Sequence, residues 1–146
     1  MGHYSRLHSA TTNTPKYAKI RANTKKKDSK MHEYSVVTAL LEQCDHYALD
    51  SGASKIEKIV VGIGEHSGIE VALLQSAFET FKEESIYTKH AHLEIQIQPI
   101  MLACSSCGTT SAPKQQDYAT CPQCASKSVQ ITQGRDMLLL RLEMLE

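Results

Sequence analysis

The sequence predicts a mixed α/β (α+β) fold: a small mixed sheet with two helices, carrying an inserted segment organised by four cysteines. Three observations predict it. Apolar residues recur at helical spacing over 36–48 and again over 69–81. Strand-like patterns occupy 56–64, 92–98 and 136–145. Between the last two lies a small, polar, turn-rich stretch, 103–134, that holds four of the five cysteines in two C-x-x-C pairs.

Each element has its own warrant. Val36, Val37, Leu40, Leu41, Cys44, Tyr47 and Ala48 fall on one helical face, and Gly52 follows as a stop. IEKIVVGIG puts Ile59, Val61 and Ile63 on one face of a strand bounded by Gly62 and Gly64. The S-G-I-E stretch 67–70 has the form of a capping box, and Ile69, Leu73, Ala77, Phe78 and Phe81 make a second stripe behind it. HLEIQIQ alternates strictly, so Leu93, Ile95 and Ile97 should face inward, and Pro99 ends that regularity. The closing DMLLLRLEML is apolar on both faces, with Leu138, Leu140, Leu142 and Met144 on one and Met137, Leu139 and Leu145 on the other. Such a strand belongs inside a sheet, so the chain should return to the first sheet after Gly134. Residues 31–102 and 135–146 therefore form one domain and 103–134 an insertion.

Net charge is zero, but the zero cancels two unlike pieces. Residues 1–30 hold eight basic residues against one acid; residues 31–146 hold eight against fifteen acids. The leader is rich in Ser, Thr, Asn and Lys and too poor in bulky apolar residues to offset its ordering entropy, so it is expected to be disordered. It has no apolar core of a secretory signal. A start codon assigned too far upstream, or a scar of cloning, accounts for it most simply, and Met31 is the expected native amino terminus. No run of eighteen apolar residues exists, so no membrane partner is expected. Paired cysteines without a secretory signal point to a reducing, cytoplasmic setting.

Cys104, Cys107, Cys121 and Cys124 form C-x2-C-x13-C-x2-C. A two-residue gap lets both thiolates of a knuckle turn onto one ion, and four sulfurs at about 2.3 Å close a tetrahedron around zinc. A closed thiolate shell leaves no open position for a substrate, so this Zn(II) is structural and a zinc enzyme is excluded. The alternatives are an iron centre of rubredoxin type and a redox dithiol pair; the latter would open a helix after a strand, a context that neither pair has.

Met31, His32 and Glu33 form a second constellation. A free amine at Met31, the His32 amide nitrogen and the His32 imidazole could chelate one metal, with a further donor from the Glu33 amide or a carboxylate. Deprotonated amides suit Ni(II) or Cu(II), not zinc. M-H-E-Y-S-V-V with its helix, V-V-G-I-G-E, S-G-I-E, S-A-F-E-T-F, the four cysteines, I-T-Q-G and a leucine-rich last strand together resemble the HypA family of hydrogenase maturation nickel-binding proteins. The resemblance covers essentially all of 31–146 and none of 1–30. It implies a metallochaperone rather than an enzyme: Ni(II) is transferred and Zn(II) is structural. The implied partners are the GTPase HypB and the large subunit of NiFe hydrogenase, with urease accessory proteins in some relatives, and a homodimer is a further expectation. It implies that His32 is the essential histidine, that Met31 supplies the terminal amine and Met31 and Glu33 backbone nitrogens, and that Glu70 is an acid near the nickel. Gly108 and Ala125 stand where some relatives carry His after each C-x-x-C, so a switch to histidine ligation is closed to this chain.

Other candidates have plainer readings. Glu70 fits a helix cap first and a nickel site second. Cys44 lies on the apolar stripe as a core thiol, His46 lies off it, and His66, His90 and His92 have no ligand spacing that demands a metal. The competing class is a zinc-ribbon module that binds nucleic acid through the Lys-rich leader. The acidic remainder of the chain offers such an arm no basic surface, and nucleic acid is not an expected partner.

Overall fold

A computed structural model describes residues 18–19 and 29–146, with side chains from Glu33 onward. Helix α1, Ser29–Ser51, starts two residues before Met31 and buries Val36, Val37, Leu40, Leu41, Cys44 and Ala48, the stripe read from the sequence. Each large aliphatic side chain so buried contributes about 1.5–3 kcal/mol. The helix stops as Gly52 requires. At φ +73° the Gly52 amide donates to the Leu49 carbonyl and the Ala53 amide to the Ala48 carbonyl, the paired bonds of a Schellman end.

Strand β2, Lys55–Gly64, is buried on both faces from Ile59 onward, so Val60 is as enclosed as Ile59, Val61 and Ile63. Its neighbours explain this: the main sheet has the order β1-β7-β2-β3, which makes β2 an inner strand. Helix α2, Val71–Phe81, follows, and it buries Leu74, Ala77 and Phe78. Leu74, not Leu73, is the buried member, and Ile69 precedes the helix. The ring of Tyr34 on α1 meets Phe81 edge-on at 5.6 Å. Strand β3, His92–Gln98, is the sheet's edge, and there Ile97 is 56% exposed rather than turned inward. Strand β7, Met137–Leu145, does return to the first sheet. Its buried positions are Met137, Leu139, Leu142 and Met144, so the inward face changes phase around Arg141 and leaves Leu138 and Leu140 half-buried.

The other edge holds β1, Ala18–Lys19, paired antiparallel with β7 through Ala18 opposite Leu139 and Lys19 opposite Leu138. These two residues, with Ser29 and Lys30 in α1, take regular structure where a structureless leader was expected; the rest of 1–30 lies outside the described residues.

A second sheet has the order β5-β4-β6, from β4 Met101–Cys104, β5 Thr110–Ser111 and β6 Val129–Gln133, all antiparallel. The chain separates into two compact units. One contains the described residues up to Gly62 with Ile69–Gln96 and Leu138–Glu146; the other contains Ile63–Gly68 and Ile97–Met137. The second unit thus takes in the turn after β2 as well as the cysteine segment. Within it the backbone closes tightly: Gly64 donates to the Asp136 carbonyl and His66 to the Gly134 carbonyl. A Cβ on Gly64 would stand 2.2 Å from the Gly134 carbonyl carbon, so the V-V-G-I-G-E and I-T-Q-G stretches meet where neither glycine can carry a side chain.

Candidate metal centres

The cysteine site is built from two equivalent knuckles. In the first, the Gly108 amide donates to the Cys104 carbonyl at 3.0 Å and the Cys104 amide to Thr109 at 3.0 Å; in the second, Ala125 donates to Cys121 at 2.9 Å and Cys121 to Ser126 at 2.8 Å. Both fifth positions are left-handed, Gly108 at φ +75° and Ala125 at φ +64°. This backbone turns each pair of sulfurs inward, and Ser106 and Ser126 hydroxyls join the knuckles at 2.8 Å.

All four sulfurs lie within 4.8 Å of one another, with Cys104 Sγ to Cys124 Sγ at 3.6 Å and Cys107 Sγ to Cys121 Sγ at 3.7 Å. Four sulfurs bound at 2.3 Å to one tetrahedral ion stand about 3.8 Å apart, and disulfide sulfurs about 2 Å. The donor set therefore fits zinc, and all four cysteines are free thiols. Electrostatics agree. Backbone amides of Cys107 and Ser106 hold the Cys104 thiol down at about 6, against the opposing effect of burial. Amides of Cys124 and Gln123 lower Cys121, the latter donating at 3.4 Å. At Cys124 the Ser126 amide also favours the thiolate, but burial and the three neighbouring sulfurs prevail and push it up to about 12. Four thiolates this close repel one another unless a dication sits among them, and zinc would supply that charge and lock the ribbon's architecture.

Among residues 103–134 only Cys104, Cys121 and Gly134 are buried. The aliphatic burial of the second unit, Ile63, Ile100, Leu102 and Met137, lies outside 103–134, so the two knuckles themselves have no aliphatic core and a metal would take its place. The four cysteines are the one group of three or more His, Cys, Asp or Glu side chains close enough to share an ion among the described residues.

The second constellation is arranged around α1. Met31 and His32 lie in its first two turns, and their side chains lie outside the described residues. Glu33 is wholly buried. Its carboxylate Oε2 accepts the Glu70 amide at 2.8 Å, and its Oε1 is buried without a hydrogen-bond partner among the described residues. Glu70 sits at the N-cap of α2 with extended backbone and makes no capping bond with its own side chain. The capping box expected over 67–70 does not start this helix. The carboxylate at its N-terminus comes instead from Glu33, 37 residues earlier, and no local spacing rule could have found it. The Glu70 side chain is exposed. His66 is also exposed and accepts or shares a hydrogen bond with the Tyr118 hydroxyl at 3.0 Å, a pairing within the second unit that sequence reasoning missed.

Residues 31–144 match the model of a family described as hydrogenase/urease nickel incorporation, metallochaperone, hypA. The chain belongs to the HypA family. The hydrogenase/urease maturation factor HypA of Helicobacter pylori is 50% identical over 115 residues, 79% of this chain and 98% of the relative. The hydrogenase maturation factor HypA of Shewanella baltica is 46% identical over 114 residues, 78% and 96% of the two chains. A solution structure of the Ni metallochaperone HypA from Helicobacter pylori superposes with a TM-score of 0.63 at 49% identity, covering 77% of this chain and 97% of that one. As a HypA member the chain is a nickel metallochaperone of hydrogenase/urease maturation with a zinc site, not an enzyme. The nucleic-acid reading is not favoured. No helix among the described residues is long and apolar enough to cross a membrane.

Proposed function

We propose that Ni(II) is captured at residues 31–33 and handed on from there, with His32 as the essential imidazole, Met31 as the source of an amine, Met31 and Glu33 as sources of backbone nitrogen, and Glu70 as the nearby acid. In this reading 31–102 with 135–146 is the nickel domain and 103–134 the zinc ribbon. The chain works in the cytoplasm and carries out no bond chemistry on its cargo, with HypB as the GTPase partner and the NiFe hydrogenase large subunit as recipient. Urease accessory proteins form a second outlet, and a homodimer is the working assembly.

One observation carries the reading: the family match opens at Met31, and the next two residues lead into a carboxylate that touches the Glu70 backbone. Helix physics supports it. A helix leaves its first four amides without intrahelical acceptors. In a chain starting at Met31, the His32 and Glu33 amides fall within that set and are free to give up protons to nickel. In the 146-residue chain α1 begins at Ser29, so the Met31 nitrogen is a peptide and the Glu33 amide has an acceptor one turn back.

Nickel titration of chains beginning at residue 1 and at Met31, each with and without His32→Ala, tests this. The expected result is tight binding by the Met31 form and its loss with His32→Ala. Equal nickel binding by the Met31 form and its His32→Ala variant overturns the reading.

A further inference from the structure

We propose that the outer edge of β7 is a self-pairing surface. In a chain beginning at Met31 it takes β7 of a second copy, antiparallel about a twofold axis at Leu142; in the 146-residue chain Ala18–Lys19 hold part of that edge and keep the copies apart. This rests on the homodimer reading above and names its surface. The sheet order β1-β7-β2-β3 gives β7 two neighbours, one of which is β1. Strand β1 lies in 1–30, outside the residues 31–144 that match the family. A chain that starts at Met31 has no β1, so β7 becomes its outermost strand. Seven of the nine residues of MLLLRLEML are apolar, and a long apolar edge is a template for another strand. The opposite edge, β3, carries His92, Glu94, Gln96 and Gln98 in its seven residues and is the less inviting one.

Charge decides what pairs there. A twofold contact sets the same strand on both sides. Centred on Leu142, antiparallel pairing puts Arg141 of each copy opposite Glu143 of the other. Both side chains already share one face of the strand, since Arg141 Nη2 stands 2.8 Å from Glu143 Oε2 within a single chain, and both reach solvent. Shifting the centre to Arg141 or to Glu143 would set like charges against each other, which is destabilising. In the Leu142 register Leu138 and Leu139 face Glu146 and Leu145 of the second copy. Those two positions are the ones that Lys19 and Ala18 occupy in the 146-residue chain. The leader strand and a second copy therefore compete for the same backbone.

Sedimentation equilibrium of the zinc-loaded 146-residue and Met31 chains tests this, with Arg141→Glu and Glu143→Arg each made in the Met31 chain. The HypA relatives are matched over nearly their whole length without the leader, so the Met31 chain folds by itself. Zinc content and helicity check each variant. The expected result is a dimer of the Met31 chain and self-association at least tenfold weaker in the 146-residue chain. Each single variant should weaken the Met31 dimer by roughly tenfold or more, because like charges then meet twice. An equimolar mixture of the two variants should recover it, because opposite charges meet again. A Met31 dimer that neither substitution weakens has its interface elsewhere; it overturns the proposal and leaves the homodimer reading standing. Equal association at both lengths overturns it too, as does a mixture that stays weak. A dimer confined to the 146-residue chain would make the leader the exchanged strand and equally overturns it. Failure of the underlying reading is distinct: both chains then stay monomeric at every concentration, and the proposal falls with it.

Discussion

Replacing Cys107 by Ala isolates what the zinc does. Cys107 is exposed, so truncation leaves no cavity, yet its sulfur stands 3.7 Å from Cys121 Sγ as one edge of the tetrahedron. Apparent zinc binding by small finger peptides is about 10–16 kcal/mol, so an even share among four thiolates is about 3 kcal/mol, or more than ~100-fold in affinity. The knuckles have little to offset this loss, because residues 103–134 bury only Cys104, Cys121 and Gly134. Competition with a chromophoric chelator should show the weakened site. Hydrogen exchange should show loss of protection at the Gly108 and Ala125 amides, which close the two knuckles, while Leu40 on α1 and Phe78 on α2 stay protected. A variant that holds one zinc at parental affinity with both knuckles protected would refute the argument.

Gly64→Ala should lower stability by about 3 kcal/mol or more, a fall of roughly 10 °C in thermal midpoint, because its Cβ meets backbone at 2.2 Å; Gly68→Ala, with open space around it and φ +79°, should cost about 1–2 kcal/mol. Equal melting of the two variants would show that the close approach is not rigid. Burial, reinforced by Asp45, pushes the Cys44 thiol far up, so native protein should leave Cys44 unalkylated until it unfolds, which mass spectrometry of iodoacetamide-treated samples reads directly. The Glu94 carboxyl is held below its ordinary value by its bond to Lys58 at 2.9 Å and by Gln96. A lowered acid contributes stability above its unfolded pKa and loses it as pH falls through the folded one. The difference in thermal midpoint between parent and Lys58→Met should therefore be present at neutral pH and vanish in acid.

Periodic signals were legible and long-range ones were not. The α1 stripe and its Gly52 stop follow from 3.6-residue spacing and the left-handed turn that glycine tolerates, and the structure keeps them. The four cysteines could be paired with one ion because knuckle geometry is local. Edge position is not local. Nothing within HLEIQIQ says that β3 has no outer neighbour, so strict alternation alone turns Ile97 inward where the edge leaves it exposed. The same limit hid β1: two residues of a basic leader pair with β7 for reasons that lie in β7. At α2 the S-x-x-E spacing suggested a self-contained cap, whereas an acid far upstream supplies it.

That displaced cap bears on how one small chain can treat two metals differently. The four thiolates are gathered by two backbone turns with no aliphatic packing of their own, so zinc binding is expected to be folding free energy there. The residues proposed to hold nickel stand at the beginning of a helix whose stripe is already buried by Val36, Leu40 and Cys44, so α1 needs no metal to fold. A site built on a helix that folds without the ion can release it without unfolding its scaffold. The buried Glu33 carboxylate ties that helix to the start of α2 through the Glu70 amide, a link that needs no metal.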